Sequence, residues 1–393
     1  MTRKRILIFS LAYEPFIGGA EVALKEITDR LPDQEFEMIT ANLDGRQEKI
    51  ERIGNILVRR VANKYLFPFF ASRLAVKLHQ TKKYDAVWAM MANQAGMAAA
   101  MFKKNFPLVP FLLTLQEGDD LGSLSYRLRL LAPRLFGVFR SADQIQVISN
   151  YLAAWARRMG ARCPITAVPN GVDVNKFKVE SEKRKATTQN LKTIITTSRL
   201  VWKNGVDILI SAMQFLPNNV RLQILGIGPE ETFLKQLMSR HRLDSRIQFL
   251  GHVAPGEVIG YLTRADIFAR PSRSEGLGNS FLEAMAAGLP VIGTPVGGIP
   301  DFLHDPYCQG ESLPIGMKGD TLGGSKVSPW IQTGWFCEVG NPQSVAEKVK
   351  YILNPVNLNQ VQMVIRDARE LVTQKYDWNG IAQEMAQIIA KLS

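Results

Sequence analysis

Residues 270–301 read RPSRSEGLGNSFLEAMAAGLPVIGTPVGGIPD. Two carboxylates in this stretch, Glu275 and Glu283, stand eight residues apart on either side of the Gly-Leu-Gly turn at 276–278. The pattern predicts a helix over 281–287, and a helix N-terminus offers unpaired N–H groups and a positive dipole end to an anion. Carboxylates accept strong hydrogen bonds from hydroxyl groups. The stretch therefore predicts a site for a ligand that carries both phosphate and hydroxyl groups.

A structural explanation exists for one of the two glutamates. The run Ser280-Phe281-Leu282-Glu283 fits a capping box, in which the glutamate only satisfies the start of the helix. Capping and ligand binding both stay open for Glu283 at this point. Glu275 precedes the helix among glycines and serines, where no structural role requires a charge.

The stretch resembles the Glu-x7-Glu signature of the retaining nucleotide-sugar glycosyltransferases of family 4, also called group 1. Three other motifs of that family have counterparts here, in the family's order. They are an N-terminal glycine loop (Pro15–Glu21, PFIGGAE), an interdomain segment (Val168–Asp173, VPNGVD, with Phe177) and a basic diphosphate motif (Ser198–Gly205, SRLVWKNG). Four motifs in register over most of the chain are a specific match.

The order of apolar runs predicts the fold. Strand-like runs occur at 6–11, 37–40, 55–59, 86–89, 111–115, 144–148 and 166–168, and again at 193–197, 222–225, 247–250, 267–269 and 291–292, with helical stretches between them. Such alternation predicts an α/β fold with parallel sheets covered on both faces. We expect two doubly wound, Rossmann-like domains facing across a cleft, which in this family is the GT-B type.

The two predicted domains are separated by a polar stretch. We expect an N-terminal, acceptor-side domain at 1–178 and a C-terminal, nucleotide-sugar-binding domain at 190–375, because 179–190 has the composition of a linker. The resemblance implies that the last helix, 376–393, crosses back and completes the first domain.

Three groups of residues suit a nucleotide-sugar donor. Arg199 and Lys203 stand four residues apart after a strand and supply the cations that a diphosphate needs. Gly18 and Gly19 would let the backbone approach a phosphate at the start of a helix. Gly226 and Gly228 follow another strand, and we interpret them as a turn that lines the nucleotide base.

The resemblance implies roles for the motif residues. Glu283 would accept hydrogen bonds from the ribose, and Glu275, with Arg199 and Lys203, would act at the transferred sugar and the leaving group. Backbone N–H groups of Leu277, Gly278 and Asn279 would contact sugar and phosphate.

One position departs from the family pattern. Many members have a histidine after the strand that corresponds to 111–115, and this chain has Gln116. Gln can hold a sugar hydroxyl but does not titrate, which leaves the identity of the sugar open. Asp119 is a further candidate contact to the donor sugar or the acceptor.

The predicted activity is retaining transfer of a hexosyl group from a nucleoside-diphosphate sugar to a hydroxyl acceptor, with a lipid-linked or cell-envelope glycan as candidate acceptors. Catalysis would rest on positioning and on electrostatic stabilisation of the leaving group. Two alternatives are a nucleotide-sugar epimerase of the same architecture and a non-catalytic sugar-nucleotide-binding protein. A dehydrogenase is disfavoured because the Gly-x-Gly-x-x-Gly loop is missing.

No cofactor or metal is predicted beyond the co-substrate. The four histidines show no ligand-like spacing, and no Asp-x-Asp pair is present to bridge a divalent ion. Three widely spaced cysteines indicate a reducing, cytoplasmic compartment rather than a disulfide framework.

The net charge of +12 is concentrated in part of the first domain. Residues 59–140 hold thirteen Lys or Arg against four Asp or Glu, a balance of +9. Segments 59–83 and 126–140 mix cations with aromatic or aliphatic residues, a pattern typical of membrane-surface segments. We expect an anionic membrane surface as a partner, with peripheral attachment, and no nucleic acid. Packing of these apolar residues into the core is the alternative.

The segment 304–333 is about thirty residues long where the family usually needs few, and it is rich in Gly, Pro and Ser. A loop of this length is either functional or without order, and its place after the site segment favours a lid or acceptor-side role.

Overall fold

The computed structural model describes residues 3–16, 18–61, 63–118, 132–177, 191–306 and 331–392. Within them the first domain contains an eight-stranded sheet in the order β3-β4-β2-β1-β5-β6-β7-β8. Its strands are β1 Arg5–Phe9, β2 Glu35–Ala41, β3 Ile50–Ile53, β4 Ile56–Val61, β5 Ala86–Met90, β6 Phe111–Leu115, β7 Gln144–Val147 and β8 Ile165–Ala167. All neighbours pair parallel except β3 with β4.

The second domain contains a six-stranded parallel sheet in the order β11-β10-β9-β12-β13-β14. Its strands are β9 Lys192–Thr197, β10 Val220–Leu225, β11 Ile247–Gly251, β12 Ile267–Ala269, β13 Val291–Gly293 and β14 Trp335–Phe336. The predicted fold class, two doubly wound α/β domains, is confirmed.

Helices connect the strands on both faces of each sheet. In the first domain they are α1 Gly19–Asp29, α2 Phe67–Lys82, α3 Gln94–Asn105, α4 Ala132–Ser141 and α5 Asn150–Arg158. In the second they are α6 Val206–Ala212, α7 Glu231–Arg240, α8 Pro255–Arg264, α9 Asn279–Ala286, α10 Pro342–Leu353 and α11 Leu358–Lys375, and α12 Trp378–Lys391 ends the described chain.

The antiparallel hairpin β3–β4 is absent from the sequence prediction, which has a single strand at 55–59. The turn between the two strands is Gly54-Asn55, and Gly54 adopts φ +55°. β3 reads IERI and only alternates between exposed and half-buried positions. Because this strand lies at the edge of the sheet and buries little, its sequence carries a weak apolar signal.

The last helix packs against the first domain. The backbone N–H of Val172 donates to Tyr376 O at 2.7 Å, where the chain crosses back. Beyond that point the apolar side of α12, including Trp378, Met385 and Ile389, is buried in a cluster with residues of β1 and β2. The first folding unit is thus built from both ends of the chain.

Glycine pairs allow loops of the second domain to touch one another. Gly297 adopts φ +57°, and a Cβ there would lie 1.8 Å from Glu275 O. The Gly298 N–H donates to the same carbonyl at 3.1 Å. The loop after β13 therefore supports the loop that carries Glu275, and no side chain fits between them.

We expect Gly297→Ala to destabilise the protein by about 3 kcal/mol, because it adds a collision to the strain of a left-handed residue. Gly288→Ala is the matched control, since Gly288 also has positive φ (+77°) but a Cβ there meets nothing within 4 Å. The control should cost only about 1 kcal/mol. Thermal unfolding of both variants measures the difference, and equal shifts would contradict the proposed contact.

Candidate active site

A cleft of about 1730 Å³ separates the two sheets and is lined by both domains. Parallel strands point their carboxyl ends at one edge of a sheet, and ligands of such sheets bind there. Here the loops after β1, β6, β9 and β12 all contribute to the lining. The predicted site residues that line it are Gly18, Gly19, Gln116, Arg199, Lys203, Glu275, Leu277, Gly278, Asn279 and Glu283.

The N-terminal glycine loop lies at the edge of the cleft. Gly18 is the N-cap of α1, and its N–H donates to Glu21 Oε2 at 2.8 Å. The neighbouring Gly19 faces the other domain, because a Cβ on it would lie 3.4 Å from Asn279 Nδ2. Burial raises the pKa of Glu21 above its ordinary value. This loop brings a helix N-terminus to within contact distance of the second domain.

The basic pair follows β9 in a short turn. Arg199 is exposed to the cleft, and Asn204 Nδ2 donates to its carbonyl oxygen at 2.6 Å. Lys203 reaches across the cleft and donates from Nζ to Gly118 O at 2.9 Å. Lys203 thus connects the two domains, and Arg199 lines the cleft between them.

An ion pair that sequence reasoning missed supports this turn. Arg273 makes a two-fold contact with the Asp207 carboxylate, at 2.8 and 2.6 Å. Its guanidinium also covers the Trp202 ring, with Cζ 4.8 Å from the ring centre, and its backbone N–H donates to Lys203 O at 2.6 Å. The turn that carries Lys203 is therefore stabilised by Arg273.

Gly226 and Gly228 lie behind the basic turn. A Cβ on Gly226 would lie 1.8 Å from Ser198 O, and one on Gly228 would lie 2.2 Å from Leu200 O. Among the described residues that line the cleft, neither glycine is found. Their backbone contacts support the turn that carries Arg199.

A chain of side-chain amides joins the domains. Gln116 and Asn170 exchange hydrogen bonds of 3.1 and 3.0 Å, and Asn170 Nδ2 also donates to Asn279 Oδ1 at 3.3 Å. Asn170 belongs to the interdomain segment and is buried. Gln116, which stands where many family members have histidine, is therefore oriented by a residue that connects both halves of the cleft.

The start of α9 differs from the capping-box alternative. The N-cap is Gly278, at φ +105°, and Ser280 already lies inside the helix. Glu283 is thus one turn beyond the N-terminus, and no hydrogen bond or ion pair joins its carboxylate to any described residue. It lines the cleft, and burial raises its pKa to about 7. The capping interpretation of Glu283 was wrong, because it assigned the helix start two residues too late.

The carboxylate of Glu275 is held by Arg270, a residue that the sequence did not single out. Arg270 Nη2 forms an ion pair with Glu275 Oε2, and the pair is largely buried. The Gly276 N–H donates to the other carboxylate oxygen at 3.1 Å. The sequence feature that could have identified Arg270 is a charged residue directly after the buried strand β12.

Some residues with predicted roles lie outside the described part of the chain. Asp119 and residues 126–131 lie outside the described residues, as do 307–330 of the long segment. The ends of that segment pair with each other, since His304 N–H donates to Thr333 Oγ1 at 2.8 Å and Thr333 N–H to His304 O at 2.9 Å.

Comparison with known proteins agrees with this architecture. Residues 17–176 match the description "Glycosyltransferase Family 4", and residues 178–314 match "Glycosyl transferases group 1". The two matches divide the chain between its two domains. The chain belongs to the group 1, family 4 glycosyltransferases. It has their GT-B fold, and the predicted family is confirmed.

Relatives of this glycosyltransferase share much of its length. A putative colanic acid biosynthesis glycosyltransferase of Escherichia coli is 27% identical, over 76% of this chain and 68% of its own. A GDP-mannose-dependent α-(1-6)-phosphatidylinositol monomannoside mannosyltransferase of Mycobacterium tuberculosis is 27% identical over 98% of both chains. An Anabaena protein solved with UDP-glucose is 20% identical, with a TM-score of 0.76 over 99% of this chain and all of its own.

Two further observations bear on metals and membranes. The described residues of this glycosyltransferase contain no group of three or more His, Cys, Asp or Glu that could hold a metal ion. In the same part of the chain, no helix has the length and apolar character needed to cross a bilayer.

Proposed function

We propose that this glycosyltransferase transfers a hexosyl group, with retention, from a nucleoside-diphosphate sugar to a hydroxyl acceptor. The observation that carries the proposal is the convergence of Lys203, Glu275 and Glu283 on one cleft, opposite the glycine loop at Gly18 and Gly19. The cations match a diphosphate, the carboxylates match sugar hydroxyls, and the helix N-terminus matches a phosphate.

Each part of the donor has a proposed partner. Arg199 and Lys203 neutralise the diphosphate, and backbone N–H groups of Gly18, Gly19 and residues 277–279 contact phosphate and sugar. Glu283 accepts the ribose hydroxyls, and Glu275 faces the transferred sugar. Gln116 holds a sugar or acceptor hydroxyl, and Asp119 is a proposed contact to the donor sugar or the acceptor.

In the proposed mechanism, the protein accelerates transfer mainly by stabilising the leaving group. Positive charge develops on the sugar as the bond to the diphosphate breaks, and Lys203 and Arg199 stabilise the departing diphosphate. The acceptor attacks from the same face, and the leaving phosphate takes its proton, which gives retention. The protein then acts by positioning and by preorganised charge.

The acceptor is proposed from the relatives. One relative is a putative colanic acid biosynthesis glycosyltransferase, and another is a phosphatidylinositol monomannoside mannosyltransferase. We therefore propose a lipid-linked or cell-envelope glycan acceptor, glycosylated at the cytoplasmic side of a membrane. UDP-glucose and GDP-mannose are the donors to test first. Release of nucleoside diphosphate that requires added acceptor supports transfer; an epimerised sugar without such release, or binding without turnover, would contradict it.

We expect Lys203→Ala to lower kcat/KM on the order of 100-fold, because the leaving diphosphate loses a preorganised cation. Lys104→Ala, an exposed lysine at the end of α3, is the matched control and should leave turnover unchanged. Continuous detection of released nucleoside diphosphate measures both. Wild-type turnover of Lys203→Ala at low donor concentration would rule out the diphosphate role.

We also propose that no divalent ion or other cofactor takes part, since Arg199 and Lys203 supply the positive charge that a metal would otherwise provide. Activity should survive extensive dialysis against EDTA. Complete loss that magnesium or manganese restores would require a different assignment of the diphosphate site.

The N-terminal end of α2 carries an exposed aromatic patch, which we define as Tyr65, Leu66, Phe69 and Phe70. These side chains are between 44% and 76% exposed. Beside them lies a groove of about 520 Å³ that is also lined by Arg73 and Lys77. We propose that this patch is the site of peripheral attachment to an anionic membrane.

Three other cations of the basic segment 59–83 stabilise the fold. Arg59 and Lys82 pair with the buried Glu37, and Arg60 pairs with Glu51. Phe67 is fully buried. In β4 and along one side of α2, the residues of this segment therefore pack in the first domain. The membrane proposal concerns only the aromatic patch and the cations beside it. In segment 126–140, Val138 and Phe139 are buried as well.

Replacing Phe69 and Phe70 together by Ser should abolish co-sedimentation with vesicles that contain phosphatidylglycerol, because burial of the two rings supplies most of the apolar contact. Phe233→Ser is the control, since Phe233 is 52% exposed in the other domain. Binding of the wild type should fall as salt rises. Equal recovery of wild type in the supernatant with neutral and anionic vesicles at low salt would contradict the proposal.

A further inference from the structure

Arg270 occupies a central place beneath the donor side of the cleft. It follows β12 directly, its backbone N–H donates to Ile292 O at 3.1 Å, and its side chain is only 7% exposed. A buried guanidinium is costly unless its donors are satisfied and its charge is compensated. Its contacts therefore indicate what the charge does there.

The guanidinium joins three separate parts of the second domain. Nη2 pairs with Glu275, and Nη1 donates to Ser280 Oγ at 2.7 Å and to Thr197 O at 3.3 Å. Its Cζ also lies 4.7 Å from the centre of the Phe281 ring. The end of β9, the loop after β12 and the first turn of α9 are thus held by one side chain, a task for which the planar fork of arginine is suited and lysine is not.

The same charge acts on Glu283. Burial raises the pKa of Glu283 to about 7, and the field of Arg270 lowers that pKa. Glu275, the nearest acidic neighbour on the loop, already pairs with Arg270. Arg199 and Lys203 are further cations that line the same cleft. Ser280, to which Arg270 donates, lies three residues before Glu283 on the same side of α9. The guanidinium is therefore held on the side of the helix that carries Glu283, where its charge favours the ionised carboxylate.

We propose that Arg270 is a positioning residue for both glutamates of the motif: it orients Glu275 through the ion pair and keeps Glu283 in the ionised form that accepts donor hydroxyls. The inference rests on the proposed function, because it assigns the donor's hydroxyl groups to Glu283. If the inference holds, donor affinity depends on the ionisation of Glu283, and Arg270 determines the pH at which Glu283 is half ionised.

The first test measures affinity for UDP and for GDP by calorimetry between pH 6 and 9. In the wild type, affinity should rise as pH increases through about 7. Arg270→Gln should raise the midpoint of this pH dependence by about one pH unit. At pH 7 its affinity should be about fivefold lower, because a smaller fraction of Glu283 is ionised, and at pH 9 its affinity should match that of the wild type. In Glu283→Gln, with or without Arg270→Gln, this pH dependence should be missing.

Two further variants separate charge from geometry. Arg270→Lys keeps the charge, so the midpoint should stay near that of the wild type, while kcat falls about tenfold because Glu275 and Ser280 lose the fork. Arg273→Gln is the matched control: it removes another largely buried arginine of the same loop, and it should lower stability without moving the midpoint.

A second test needs no donor. Because the folded-state pKa of Glu283 lies above its ordinary value of 4.5, the folded state binds the proton more tightly than the unfolded chain between these values. Stability should therefore fall as pH rises from about 4.5 to 7. Arg270→Gln should extend this fall above pH 7, and Glu283→Gln should remove it.

The outcomes are distinguishable. If Arg270→Gln lowers affinity and stability equally at every pH, with the midpoints unchanged, Arg270 only packs the loop and the inference is wrong. If neither UDP nor GDP binds the wild type, the proposed function fails, while the stability curves of Arg270→Gln and Glu283→Gln still decide the electrostatic role of Arg270.

Discussion

The direction of the strands determines where this protein can carry out chemistry. Parallel pairing requires each strand to end at the same edge of its sheet, and a crossover helix returns the chain to the opposite edge. As a result, the turns at Gly18, Gln116, Arg199 and Arg270, which follow β1, β6, β9 and β12, meet at one cleft although they span most of the sequence. The rest of the site depends on this geometry.

The loops at the facing edges of the two sheets lie close together because glycines allow their backbones to make direct contact. A Cβ on Gly276 would lie 2.6 Å from Glu117 O in the other domain, so any other residue there would force the loops apart. The same approach lets Lys203 reach Gly118 O and lets Asn279 contact Asn170. The described arrangement is thus one in which both domains contribute to a single polar enclosure.

Charge is distributed unequally within that enclosure. Arg270 and Glu275 compensate each other below the surface, and Arg273 and Asp207 do so beside the basic turn. Glu283 is half-buried at the cleft without such a bonded partner, and its desolvation raises its pKa. A group kept at that cost, facing a cavity, is characteristic of a binding site rather than of the fold.

The sequence by itself determined the α/β class, the two halves and most strands, because buried parallel strands are short apolar runs whose signal is local. It also identified most residues of the cleft, since they lie in the loops and helix starts that follow those strands, whereas Gly226 and Gly228 lie behind the basic turn. It could not find β3, whose edge position leaves little apolar pattern, nor the true start of α9.

Only the tertiary structure shows the surroundings of Gly278, Glu283 and Arg270. The N-cap at Gly278 depends on a left-handed turn, and local sequence equally allowed a cap at Ser280. Arg270 contacts Thr197 and Ser280, and it pairs with Glu275. These contacts arise from packing between segments up to 73 residues apart. A pattern read along the chain contains no information about which distant groups a buried charge will contact.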